Sequence, residues 1–202
     1  MDSERRDNIG KPKQIAYHAV IALAGRRIDA PGTDPPRFPL ENVPIVRGRI
    51  AAFLSSEHAE ALVCSAACGV DLIVLEEAKR LGLRRRIVLP FPPKRFRETS
   101  VTDRPGDWGS GFDRLVAMAE ATGDLVILAG VAGDDDAAYA AANRAIIRET
   151  EALAKDTPNG IPHRRVSVIV WEGAARSGTN ASGGRQTLVT QSGFEERFLL
   201  TR

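Results

Sequence analysis

Cys64-Ser-Ala-Ala-Cys-Gly-Val-Asp71 joins an apolar run, residues 61–64, to an amphipathic one, residues 70–81. A strand that passes through small residues into a helix lets backbone N–H groups and the helix N-terminus face an anion, which is how α/β proteins hold phosphates. In the second run Val70, Ile73, Val74, Ala78 and Leu81 recur at three- and four-residue spacing, leaving Glu76, Lys79 and Arg80 nearer solvent. Gly82 supplies the stop. Ser65, Ala67 and Gly69 leave room for a ligand at the turn. Asp71 falls in the first helical turn, where it either takes a sugar hydroxyl or complements the helix dipole.

Outward from this unit, short aliphatic runs alternate with longer helical patterns. Strands are expected over residues 18–24, 61–65, 86–90, 125–129, 166–171 and 194–200, and helices over 43–56, 70–81, 112–121, 137–155 and, as a short piece, 185–192. Near-continuous aliphatic strands are those buried on both faces, and the alternation is that of βαβ units. The prediction is a single Rossmann-like, doubly wound α/β domain over residues 15–202 with a mostly parallel sheet of five or six strands. Residues 1–14, with Ile9 as their one aliphatic side chain, read as a flexible lead-in.

The composition is that of an ordinary globular domain, with 43% apolar and 27% charged residues and a net charge of +2. Basic and acidic residues are interspersed, which argues against a nucleic-acid partner. No apolar run approaches the roughly 18 to 20 residues that cross a bilayer, so no membrane partner is expected. Two cysteines, Cys64 and Cys68, and the lack of a secretory pattern at the N-terminus point to a reduced, cytoplasmic setting. Two thiols and three scattered histidines supply too few ligands for a structural metal. A domain of this size and class commonly forms a symmetric homo-oligomer.

Several further residues carry candidate chemistry. The first strand ends at Gly25, which lets backbone approach a ligand, and the loop after it offers Arg26 and Arg37 to phosphate and Asp29 to a ribose hydroxyl. The proline-stiffened stretch 91–111 is expected to be a loop, with Phe91 and Trp108 placed to stack on a base. Gly183, Gly184 and Thr187 in Gly183-Gly-Arg-Gln-Thr187 suit a phosphate cradle or a merely mobile loop. Asp134 and Asp135 either hold Mg²⁺ beside a nucleotide or cap the helix that follows. Glu76 and Glu77 are the candidate catalytic carboxylates. The basic clusters at residues 84–86 and 94–97 flank a strand and would serve either its solubility or a nucleic acid.

Ser65-Ala-Ala-Cys-Gly-Val-Asp71, followed by a helix and the strand at 86–90, resembles the small-residue turn with Gly-Ile-Asp of the SLOG superfamily. That superfamily contains the Rossmann-like domains of the Smf/DprA proteins and the Lonely Guy phosphoribohydrolases. The resemblance implies a nucleotide or DNA phosphate at this turn. Gly183-Gly-Arg-Gln-Thr-Leu-Val-Thr190 departs from the Lonely Guy pattern Pro-Gly-Gly-x-Gly-Thr-x-x-Glu by lacking the proline, the third glycine and the glutamate. The sensor-like branch, whose members bind nucleotides or nucleotide-derived signals in bacterial stress and defence systems, fits best. The expected function is therefore binding or sensing of a nucleotide, with no cofactor required and Mg²⁺ possible. A nucleotide hydrolase is the alternative, and a DNA-binding module the second alternative.

Overall fold

Four runs, at 19–25, 59–64, 84–89 and 164–171, form strands with residues buried on both faces, and two more, at 125–127 and 195–200, form strands with no fully buried residue. In the computed structural model, which describes residues 18–128, 130, 135–157, 160, 162–173 and 193–202, β1 is Ala19–Gly25, α1 Val43–Ser56, β2 Ala59–Cys64, α2 Val70–Arg80 and β3 Arg84–Leu89. They are followed by α3 Pro93–Ser100, α4 Gly109–Ala121, β4 Leu125–Ile127, α5 Asp135–Lys155, β5 Arg164–Trp171 and β6 Glu195–Leu200. The strands lie in one sheet in the order β4-β3-β2-β1-β5-β6, every neighbouring pair parallel. This is a Rossmann-like, doubly wound α/β domain. Among the described residues no helix is long and apolar enough to cross a membrane.

The two faces follow from alternation along β1. Ala19, Ile21 and Leu23 pack with α1, α2 and α4 in one core, while Val20 and Ala22 pack with Ala142, Ala145 and Ile146 of α5 in the other. Steps to one side of β1 carry their helices on the first face, and the return to β5 carries α5 on the second, as right-handed crossovers require.

Two expectations are corrected. Stretch 91–111, read as a loop, contains α3. Pro93 opens the helix where no N–H is needed, Phe96 and Ser100 are buried, and the charged residues between them face outward. The arginines at 84–86 do not flank a strand but form the first half of β3. Arg84 and Arg86 converge on the buried carboxylate of Asp124, and Arg86 also reaches Glu149. The expected lead-in and the short helix at 185–192 lie outside the described residues.

At the amino ends of β5 and β6 a charged clamp ties the sheet edge to α1. Arg164 bonds Glu57 at 2.9 Å and Glu195 at 2.8 Å, and Arg197 bonds Glu57 at 2.6 Å and Glu195 at 2.9 Å. The Arg164 hydrogen bonds outweigh burial and hold the Glu195 carboxyl down at about 2. A carboxyl depressed on folding adds stability that is fully present above its unfolded value near about 4.3 and is lost as the pH falls to the folded value. Because Glu195 is 43% exposed, the contribution is below about 1 kcal/mol. Urea unfolding of wild type and Glu195→Gln should differ by that amount at neutral pH, and the difference should vanish towards pH 2.

Candidate functional site

The chain winds to one side after β1 and to the other after β4, so the carboxyl ends of β1 and β5 form the topological switch point where ligands bind in open α/β sheets. What surrounds that point is set by how closely α2 approaches β1. A β-carbon on Gly25 would collide with Cβ and both methyls of Val70. Gly69 adopts φ +97°, and a β-carbon there would lie 2.7 Å from Arg26 O and 2.9 Å from Ile28 N. Val70 N–H donates to Arg26 O at 3.0 Å. Glycine is needed at 25 for space and at 69 for both space and conformation.

At the turn 65–70, two backbone N–H groups are taken up by the protein itself. Ala67 N–H donates to Asp71 Oδ2 at 3.3 Å and Cys68 N–H to Ser100 O at 3.0 Å. Cys68 and Gly69 are buried, and burial pushes the Cys68 thiol up despite the Arg27 guanidinium beside it. Above the turn two loops meet: Arg27 pairs with Asp103, and Leu40 and Trp108 both lie against Gly106. Trp108 Nε1 donates to Pro105 O at 2.8 Å. Ser65 Oγ is buried beneath without a partner among the described residues. Phe91 is buried, its ring edge-on to Tyr139 with centroids 5.6 Å apart and the Arg95 guanidinium 3.9 Å over its face.

A charged cluster stands at the switch point itself. Arg26 Nε donates to Glu172 Oε2 at 2.6 Å and its Nη2 to Glu172 Oε1, a fork on a carboxylate that is only 5% exposed. Burial works to raise the Glu172 carboxyl, but the Arg26 hydrogen bonds and the nearby charges of Arg26 and Arg37 outweigh it and hold it below its ordinary range. Arg37 is delivered by a braced loop. Asp29 Oδ2 accepts Arg37 N–H at 2.7 Å and Phe38 N–H at 2.8 Å, Asp29 N–H donates to Phe38 O, and Phe38 plugs the core. Arg37 O accepts Thr201 Oγ at 2.6 Å, and Thr201 N–H donates to Trp171 O. The Arg37 guanidinium itself makes no hydrogen bond or ion pair among the described residues.

Of the residues singled out by sequence, Gly25, Arg26, Asp29 and Arg37 come together at this point, and Ser65, Ala67, Gly69 and Asp71 lie next to it under the meeting loops. Phe91 and Trp108 are packed on other elements. Glu76 pairs with Arg114 of α4, and Glu77 with Arg47 and Arg80, on the flanks of α2 about two turns from its start. Asp135 pairs with Arg95. Asp134, Gly183, Gly184 and Thr187 lie outside the described residues. No group of three or more metal-ligating side chains among the described residues converges to hold an ion. Sequence reading missed Glu172, Asp103 and Thr201. The available signal for Glu172 was its position as the first residue after an aliphatic strand.

The sequence matches no family model, and no curated protein matches it either.

The close approach of α2 predicts that Gly25→Val costs about 2 kcal/mol or more in urea unfolding, from overpacking. Gly48→Ala, in open space on α1, should instead gain up to about 1 kcal/mol. Asp29→Ala should speed hydrogen exchange at the Arg37 and Phe38 amides, measured by mass spectrometry or NMR, while leaving β1 protected.

Proposed function

We propose that this domain binds a nucleotide or a nucleotide-derived anion over the carboxyl ends of β1, β5 and β6, as a ligand-binding or sensor domain of SLOG type. The observation that carries the reading is the Arg37 guanidinium, without a hydrogen bond or ion pair among the described residues, beside the Arg26–Glu172 fork at the switch point of a parallel sheet. Among the described residues, two guanidiniums and one carboxylate leave one net positive charge there. Arg37 would fork onto phosphate, and Glu172, with both oxygens bonded to Arg26, holds that guanidinium in place.

Binding is better supported than the two alternatives. A carboxyl held below its ordinary range by Arg26 is a weak proton acceptor, and Glu76 and Glu77 are engaged in ion pairs elsewhere, which disfavours a hydrolase. The basic clusters are largely neutralised from within the protein: Arg84 and Arg86 pair with Asp124 and Glu149, Arg95 with Asp135, and Arg97 with Asp113. That disfavours a DNA-binding surface.

The test is calorimetric titration with AMP, ADP, ATP and their cyclic and deoxy forms, alongside mass spectrometry of small molecules released on denaturation. Wild type should bind at least one with a Kd of about 1–100 μM. Arg37→Ala should weaken that binding about tenfold or more, the worth of a charge-assisted bond, without lowering the Tm. Failure of every nucleotide to bind, with none released, overturns the reading. Release of free base or phosphate during incubation would make the protein a hydrolase.

A further inference from the structure

β6 is the last strand on its side of the sheet among the described residues. Thr201 N–H points inward to Trp171 O, so alternation along the strand turns the backbone groups of Phe198, Leu200 and Arg202 outward, away from β5. Beside that edge Phe198 and Leu200, 51% and 44% exposed, line one face, the Phe198 ring 6.5 Å from that of Trp171. An open strand edge with exposed apolar side chains is a template for another strand.

This edge carries a guard. Arg49, reaching across from α1, donates from Nη1 to Leu200 O at 2.7 Å and to Arg202 O at 2.8 Å, the two outward carbonyls at its C-terminal end. The strand is also complementary to itself. A two-fold axis through Leu199, normal to the sheet, sets Phe198 opposite Leu200 of a second copy and Glu196 opposite its Arg202. One pair is apolar on both sides and the other opposite in charge, all on the same face. Moving the axis to Phe198 sets Glu196 against Leu200 and loses the match. In the Leu199 register, Leu200 O accepts from Phe198 N–H of the second copy and Arg202 O from its Glu196 N–H. These are the same two carbonyls that Arg49 occupies.

We propose that the outer edge of β6 is a docking surface for a second copy of this chain, paired antiparallel about Leu199, and that Arg49 gates it by competing for Leu200 O and Arg202 O. Displacing Arg49 opens the edge. The pairing closes at two copies, because a two-fold contact uses the β6 edge of both chains.

Sedimentation equilibrium from about 1 to about 300 μM tests this, since dimer formation is read as a concentration dependence. Arg49→Ala, and Arg49→Met as a variant that keeps the aliphatic stem, should dimerise at a concentration about tenfold or more below that of wild type, equivalent to about 1.4 kcal/mol. Adding Phe198→Lys to either variant should restore the wild-type behaviour. Hydrogen exchange at the Phe198 and Leu200 amides should slow in the dimer. Folded Arg49 variants that sediment as wild type, dimers indifferent to Phe198→Lys, or open-ended assembly would each overturn the proposal.

Discussion

No β-carbon fits between the end of β1 and the start of α2, and the carboxyl edge of the sheet is organised around that fact. With Gly25 pressed on Val70 and Gly69 on the backbone of residues 26–28, the chain leaving β1 cannot turn directly into a helix. It runs sideways across the sheet edge instead. Arg26 is sent towards β5 and meets Glu172, Arg27 is sent towards the α3–α4 connection and meets Asp103, and the loop that follows is long enough to return at Phe38 and seal the core.

Charge in this molecule is mostly spent on holding elements together. Twenty-eight basic residues against twenty-six acidic ones would permit a patchy surface, yet the arginines of α3, β5 and β6, and Arg84 and Arg86 of β3, each find a carboxylate. Glu57 and Asp124 serve two guanidiniums apiece from positions of low exposure. Such pairs are costly to break from one side only, because the remaining charge is left buried. The Arg37 guanidinium, a cation placed by a hydrogen-bonded loop, has no carboxylate bonded to it among the described residues.

The sequence made the architecture legible because parallel strands buried on both faces leave uninterrupted aliphatic runs, and because the apolar spacing from Val70 marks a helix, although α2 buries Leu72 and Leu75 besides the predicted stripe. Helix α3 was not legible. Its eight residues carry two buried side chains, and two prolines ahead of it mimic a loop. Within the candidate site, local signals singled out Gly25, Asp29 and Arg37, and Asp29, expected to take a ribose hydroxyl, accepts the Arg37 and Phe38 N–H groups through Oδ2. Glu172 was missed because its partner Arg26 lies 146 positions earlier, and no periodicity or motif spans that distance. The turn at 65–70 read as an open cradle for a similar reason: the loops that cover it come from elsewhere in the chain.

The placement of β1 has a consequence for how the chain becomes a folded protein. One flank of the strand pairs with β2, which follows within about forty residues, but the other pairs with β5, where Ala19 is matched to Arg164. Local contacts can assemble β1 to β4 and their helices early, whereas the second flank of the central strand waits for the last third of the chain. Loop-closure entropy makes such distant parallel pairing slow. During synthesis the nascent domain therefore carries an unpaired strand at its very middle, the place where premature association with other chains would do most harm.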